Sequence, residues 1–246
     1  MISASIVLYN TDLKSLQNTI DSFLKTPLKK KLYLIDNSKT DVLKKHFEHP
    51  EIEYIFVGKN IGFGSAHNLV INKISSDFHL ILNPDVEFSE TVVPELAKQL
   101  SLNEKASFIS PKVLNSDKSL QLVCRKHPTV FDLINRKLKI SKTNLQKNQY
   151  QYKDLEESFY PEFIHGCFML FKAQDFKDLQ GFDERFFLYM EDADLCKKIT
   201  KSDKKALYYP KVEIIHHHQK ASSKSTKLFF IHTFSAIKYF LKWGFR

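Results

Sequence analysis

Glycine is scarce in this chain, at six of 246 residues, and there is no proline-rich or serine-rich tract and no self-similarity at a fixed period. These absences exclude low-complexity, collagen-like and solenoid architectures. Cysteine is also sparse. Cys124, Cys167 and Cys196 are far apart, odd in number and free of any CxxC spacing, so zinc-ribbon and dithiol chemistry are excluded and a reducing cytoplasm is the expected setting. No run of about 18 apolar residues occurs, and the start MISASIVLYN has no basic segment ahead of its apolar stretch. The expectation is a protein neither secreted nor membrane-spanning. What is present is 43% hydrophobic content, enough for one sizeable core, and no visible linker to divide it.

The net charge of +9 calls for an anionic partner, whether phosphate, nucleic acid or lipid headgroup. Much of it lies in residues 133–153 (Arg136, Lys137, Lys139, Lys142, Lys147, Lys153) and in 197–242, outside the apolar strands of the first half. It reads as a peripheral surface feature.

The first hundred residues alternate short β-branched runs with helical stretches: SIVLY, then 12–25, KLYLID, then 39–48, IEYIFV, then 62–75, FHLILN, then 89–102. That rhythm predicts an α/β fold with a mostly parallel, doubly wound sheet and helices on both faces. Each strand ends in polar residues: Tyr9-Asn10, Asp36-Asn37-Ser38, Lys59-Asn60 and Asn83-Pro84-Asp85. Ligands of open α/β sheets bind outside the carboxyl ends of the strands, so these clusters are expected to converge. Further on, the pattern predicts a strand near 106–110, a helix near 129–138 and a long loop over KISKTNLQKNQYQYKDLEES. The run FIHGCFMLFK, a turn at Gly181, a helix opening near Glu191 and a strand ALYYP follow.

Several constellations have the residue types that chemistry needs. Asp36 closes a strand, where a carboxylate can meet a base or ribose or can form an Asx-turn; both readings are open. Asn60-Ile61-Gly62-Phe63-Gly64-Ser65-Ala66-His67-Asn68 opens a helix after a strand and reads either as a tight turn or as an anion site. It lacks the third glycine of the dinucleotide fingerprint. Asp85 is a hard oxygen donor suited to Mg²⁺ or Mn²⁺ bridging two phosphates, or simply a turn aspartate. Glu191, Asp192 and Asp194 lie among aromatics, where desolvation raises a carboxylate's proton affinity as a general base requires; such acids also suit a helix N-terminus. His216-His217-His218 follows a strand, and because adjacent strand residues face opposite ways, at most two can share a metal site.

The order of VLYN, LIDNSKTD, NIGFGSAHN, LNPDV, CRKHP, GCFMLFK, GFDERFFLYMEDADLCKKI and IHHHQKAS over residues 3–223 resembles the motif series of family-2 glycosyltransferases of the rhamnosyltransferase-like branch. The resemblance implies a GT-A fold, with residues 1–103 as a nucleotide-sugar-binding half fused to an acceptor-binding half, 104–223, in one domain. It implies an inverting enzyme that moves a sugar, rhamnose foremost, from a dTDP- or UDP-sugar donor to a glycan or polyprenyl-diphosphate-linked acceptor in cell-surface polysaccharide synthesis. Asp192 would be the general base and Glu191 its positioning partner. Tyr9, Asn10, Asp36, Asn60, Gly62, Asn68, Asn83 and Asp85 would lie on the donor side, and Arg125, Gly166 and Lys220 on the acceptor side. Asp85 and His217 would hold Mg²⁺ or Mn²⁺. The chain departs from the pattern at Asn83-Pro84-Asp85, which lacks the first aspartate of DxD, and at Gln219-Lys220, where relatives carry glycines.

Residues 224–246 read as a carboxyl-terminal amphipathic helix on which Lys224, Lys227, Lys238 and Lys242 fall within about 60° of one another. A lysine ridge beside Leu228, Phe229, Phe230, Phe234, Ile237, Phe240, Leu241 and Trp243 predicts either peripheral contact with an anionic membrane, at the inner face of the plasma membrane, or packing on the core with the lysines in water. Three rival functions fit parts of the composition less well. Nucleic-acid binding lacks a recognisable module, and the aromatics lie in core-like runs. A sugar nucleotidyltransferase would carry a glycine-rich basic loop after the first strand, where this chain has Tyr9-Asn10-Thr11-Asp12. A non-catalytic nucleotide-binding relative is disfavoured by the intact acids at 85, 191 and 192.

Overall fold

The computed structural model describes residues 1–217 and 226–245. Its first strand, β1 (Ile2–Leu8), is almost wholly buried, as a parallel strand covered on both faces is: Ile2, Ala4 and Ile6 enter the hydrophobic core, and the buried Ser3 and Ser5 hydroxyls are hydrogen-bonded to His79 and His67. Helix α1 (Leu13–Leu24) follows, capped by Asp12, whose carboxylate accepts from Ser15 N at 2.9 Å, and burying Leu16, Ile20 and Phe23 along one stripe. Strands β2 (Lys30–Asp36) and β3 (Ile52–Phe56) come next, then the short helix α2 (Phe63–Asn68) and β4 (Phe78–Leu82). The helix expected over 39–48 is reduced to one 3₁₀ turn at Lys44–His46, although Phe47 is buried in the core and Leu43 packs against it. Strand β5 (Val86–Phe88), helix α3 (Val92–Ser101) and strand β6 (Ala106–Leu114) complete the first half.

Beyond it lie β7 (Cys124–Arg125), α4 (Val130–Leu138), α5 (Lys142–Asn148), β8 (Phe163–Ile164), β9 (Phe168–Lys172), α6 (Ala173–Asp178), α7 (Glu191–Lys201), β10 (Lys205–His216) and α8 (Thr226–Trp243). Helix α5 occupies part of the stretch expected to be a loop. Its residues are too polar to show a hydrophobic period, and it is started instead by Ser141, whose hydroxyl accepts from Asn144 N.

The main sheet has the order β3-β2-β1-β4-β9-β6-β10-β5. Pairs β1/β2, β2/β3, β1/β4 and β6/β10 are parallel, while β9 and β5 run antiparallel to their neighbours. The carboxyl ends of β1, β2, β4 and β10 therefore share one edge with the amino end of β9. Asn10, Asp36, Asn83, His216 and Gly166 all come from that edge. The outer strand β5 is held by α1, whose Thr19 and Ser22 hydroxyls accept from Val86 N and Phe88 N. One hydrophobic cluster runs from Ile2 through β9 and α7 to Phe240 of α8.

Helix α8 presents its faces in an unexpected way. Lys242 bonds Asp183 and Asp194 at 2.7 and 2.6 Å, and Lys238 donates to the Arg185 carbonyl. Two lysines of the expected outward ridge thus anchor the helix to the body, and Lys224 lies outside the described residues. Phe230, Phe234, Ile237 and Leu241 are exposed instead.

Candidate active site

At the end of β2, Asp36 is buried; its Oδ1 accepts from Ser38 N at 2.8 Å, and its Oδ2 accepts from the Tyr54 hydroxyl. The Asx-turn geometry is realised, and burial together with Asp36 pushes the Tyr54 phenol up. Asn10, in the left-handed region at φ 50°, donates its N–H to Ser38, so the ends of β1 and β2 form one rim beside the exposed Tyr9.

The NIGFGSAHN segment meets the GFDERFFLYMED segment. Gly62 has φ 94°, and a Cβ there would lie 2.4 Å from the Phe187 carbonyl oxygen. The close approach that demands glycine is thus to the protein's own backbone. Asn60 Oδ1 accepts from Gly62 N, and Phe63 N donates to Phe187 O. Asn68 bonds both backbone groups of Phe182, donating to its carbonyl at 2.8 Å and accepting from its N–H at 2.9 Å. The tight-turn reading of this segment therefore holds, with Gly62 and Asn68 acting as joints between distant stretches of chain.

Asp85 faces His216, with 3.3 Å between its Oδ1 and the imidazole Nε2; Asn83 Nδ2 lies 3.4 Å from the same nitrogen. The other ring nitrogen of His216 bonds Gln121 Oε1 at 2.8 Å. His217, expected to join Asp85, has its ring on Glu87 and Ser116 instead, and only its backbone N–H reaches the Asp85 carbonyl. The pleat explains the exchange: adjacent residues project to opposite sides, and His216 is the one that points inward. His218 and Lys220 lie outside the described residues. No three His, Cys, Asp or Glu side chains are arranged to hold a metal ion among the described residues. The pair Asp85 and His216 nevertheless fits a divalent cation. Against burial, which opposes the charged form, Cys167 and Asp85 beside the ring push the His216 pKa up to about 10, so the Nε2 proton that now meets the Asp85 carboxylate would have to leave for Nε2 to bind a cation. Mg²⁺ or Mn²⁺ ordinarily takes only one or two protein ligands beside substrate phosphates.

Asn83, Arg125, Gly166, Glu191 and Asp192 line one cavity of about 500 Å³. Asp192 lies in the first turn of α7; its Oδ2 accepts from Gly166 N at 3.2 Å and its Oδ1 from Ala193 N. Glu191 is buried, and burial, with the Asp192 charge beside it, pushes its carboxyl well above the usual range. Entry into α7 is strained: Tyr189 and Met190 have φ 68° and 69°, a conformation non-glycine residues adopt at a cost of about 1–3 kcal/mol each. Arg125 is brought to the cavity by the pairing of β7 with β8. Arg136, His165 and Tyr189 also line it, and none was singled out from sequence as a site residue. Arg136 belongs to a stretch that reads as peripheral charge, and nothing local distinguishes it from Lys137.

The sequence matches the profile described as glycosyl transferase family 2 over residues 3–179, more than half of the chain. The chain belongs to glycosyltransferase family 2. A second profile, described as the N-terminal domain of galactosyltransferase, matches residues 145–221. This family-2 member is 26% identical over 223 residues to the N-acetylglucosaminyl-diphospho-decaprenol L-rhamnosyltransferase of Mycobacterium tuberculosis, covering 80% of this chain and 73% of that one. It is 28% identical over 224 residues to the rhamnosyltransferase WbbL of Escherichia coli, covering 85% and 81%. Among solved structures, GalNAc-T7 with UDP, GalNAc and Mn²⁺ superposes with a TM-score of 0.68 at 14% identity, over 89% of this chain and 43% of that one. The mannosyltransferase PcManGT of Pyrobaculum calidifontis, in complex with GDP-Man and Mn²⁺, gives 0.66 at 15% identity, over 98% and 63%. The chain spans less than two thirds of each of these two solved chains, and the likeness shows a shared GT-A-like fold.

Proposed function

We propose that this glycosyltransferase is an inverting enzyme that transfers a hexose from a dTDP- or UDP-sugar to an acceptor hydroxyl in the synthesis of a cell-surface glycan. L-Rhamnose is the first candidate, because two of the relatives are named rhamnosyltransferases. The observation that carries the reading is that Asn83, which contacts His216 opposite Asp85, shares one cavity with Asp192. This supports a reading in which the residues proposed for the diphosphate adjoin, through Asn83, the space lined by the proposed proton acceptor.

In this reading Tyr9, Asn10 and Asp36 line the nucleotide end, and Asn60, Gly62 and Asn68 keep the donor side in shape. Asn83 and Asp85 lie at the diphosphate, and Gly166 and Arg125 face the acceptor. Asp192 takes the proton from the acceptor hydroxyl as its oxygen attacks the anomeric carbon. The bond from that carbon to the diphosphate oxygen breaks, its electron pair leaves with the diphosphate, and one in-line displacement inverts the centre. Gly166 N–H aligns the base, and Glu191, favoured in its neutral form, donates rather than accepts a hydrogen bond at the acceptor. Asp85 and His216 would hold Mg²⁺ or Mn²⁺, which offsets the growing charge on the leaving diphosphate when bound.

No helix among the described residues is long and apolar enough to cross a membrane. The exposed face of α8 supports peripheral contact with the cytoplasmic leaflet, through Phe230, Phe234 and Leu241 more than through its lysines.

A thermal-shift screen of dTDP- and UDP-sugars with Mg²⁺ or Mn²⁺, followed by a donor-hydrolysis assay on each hit, tests the function. A metal-dependent rise in Tm with one donor, and release of its sugar with inverted configuration, are expected. Retention of configuration, or no response to any donor, would overturn the proposal.

A further inference from the structure

Residues 182–190, which lead into α7 and its Asp192, are gripped by their backbone from two sides. On one side is α2, where Asn68 donates to the Phe182 carbonyl and the Phe63 N–H to the Phe187 carbonyl. On the other is α8, where Lys238 Nζ donates to the Arg185 carbonyl at 2.7 Å and Ser235 Oγ to the Leu188 carbonyl at 2.8 Å. The α8 contacts continue at both ends: the His232 and Tyr189 ring centres are 5.2 Å apart, and Lys242 bonds Asp183 at 2.7 Å. His232, Ser235, Lys238 and Lys242 fall within about 120° of one another at the helical period. Their partners run backwards along the chain, from Tyr189 to Asp183, so α8 lies antiparallel along the segment as a splint.

The splint covers the point of strain. Tyr189 and Met190 both have positive φ, and residues in that conformation persist only where their surroundings over-determine it. Ser235, 3% exposed, holds the carbonyl of the residue just before the pair. Beyond the pair, α8 takes hold of α7 itself. Lys242 Nζ bridges Asp183 and Asp194 at 2.7 and 2.6 Å, and Trp243 Nε1 donates to Asp194 at 2.7 Å. Asp194 lies two residues past Asp192 in the first turn of α7. One helix therefore clamps the strained pair on both sides, and relaxation at 189–190 would swing the turn that carries the Asp192 carboxylate.

We propose that α8 belongs to the catalytic unit, and that Ser235 and Lys238 are positioning residues that fix the Asp192 carboxylate by holding the backbone leading to it. This rests on the transfer proposed above, in which Asp192 is the base. Neither side chain lines the Asp192 cavity, so their effect falls on the chemical step and not on donor binding.

The test uses the full chain with Mn²⁺ and dTDP-L-rhamnose, or whichever dTDP- or UDP-sugar raises Tm in its place. It measures turnover, donor affinity by calorimetry, and amide hydrogen exchange across residues 182–195. Ser235→Ala is expected to lower kcat on the order of tenfold at unchanged donor Kd, and to speed exchange in that stretch. Thr233→Ala removes a nearby hydroxyl that bonds the Phe229 carbonyl of its own helix, and leaves kcat and exchange as in the wild type. Lys238→Met lowers kcat about threefold, and Lys238→Arg, which restores a donor, recovers it. Wild-type kcat in Ser235→Ala, an equal fall in Thr233→Ala, or no recovery in Lys238→Arg would overturn the inference. Should Ser235→Ala fail to fold, the Lys238 pair decides alone. Asp192→Asn is run in parallel. Turnover retained in that variant counts against the proposed base, whereas its loss beside unaffected Ser235→Ala and Lys238→Met counts against this inference alone.

Discussion

The Gly166 N–H donates to Asp192 Oδ2 at 3.2 Å, and a Cβ on Gly166 would lie 3.3 Å from Asp192 Cβ. One glycine thereby both aims the proposed base and leaves it room. Gly166→Ala pushes the carboxylate from that position without removing it, and a shift of this kind costs on the order of a hundredfold in rate. Asp192→Asn removes the proton acceptor and costs about 10²–10⁴-fold. Both variants keep donor affinity. Steady-state turnover beside donor calorimetry checks this, and near-normal turnover in Asp192→Asn would show that the base lies elsewhere.

His216, rather than His217, faces Asp85. Asp85→Ala and His216→Gln are expected to weaken Mn²⁺-dependent donor binding by about 10–100-fold, while His217→Gln has a much smaller effect. Donor titrations at a series of Mn²⁺ concentrations separate the three variants; a larger effect at His217 would reverse the assignment.

Asn68 holds both backbone groups of Phe182 and so joins α2 to the segment that leads into α7. Asn68→Ala leaves these two groups without their partners, with an expected loss of about 2–3 kcal/mol. That corresponds to a fall in Tm of roughly 5–10 °C for a chain of this size. Urea denaturation of the two proteins measures it, and an unchanged midpoint would show that water replaces the side chain.

His79 is buried in β4, bonded to Ser3 and Ser5, and burial, aided by Lys177, pushes its pKa down to about 3. The unfolded chain gains a proton near the ordinary value of 6.5, while the native protein does not. Stability is therefore full above about pH 6.5 and declines toward pH 3, with a limiting slope of about 1.4 kcal/mol per pH unit from this residue. Urea midpoints between pH 7.5 and 4.5 should fall in the wild type and fall less steeply in His79→Gln. Parallel curves would sink the assignment.

Much of the fold was legible because its signals are local. Apolar runs ending in Asn10, Asp36 and Asn83 announce strands whose polar ends gather at one sheet edge, and that edge is where the structure has them. Helix α5 was hidden because its start depends on the hydroxyl of Ser141 and not on a hydrophobic period. The glycines of NIGFGSAHN were legible as a turn, but not the fact that Gly62 yields its space to Phe187, which is 125 residues further along the chain.

By itself, the amino-acid order determined the alternation of strands and helices, the family resemblance and the set of acids available for chemistry, because periodicity and spacing are properties of neighbouring residues. Tertiary structure alone decided that His216 turns toward Asp85, that Arg136 lines the cleft and not the outer surface, and that α8 turns Lys242 onto Asp183 and Asp194 while exposing phenylalanines. Which face of an element is covered depends on every segment packed against it, and those segments are brought together only by the closed sheet and its shared core.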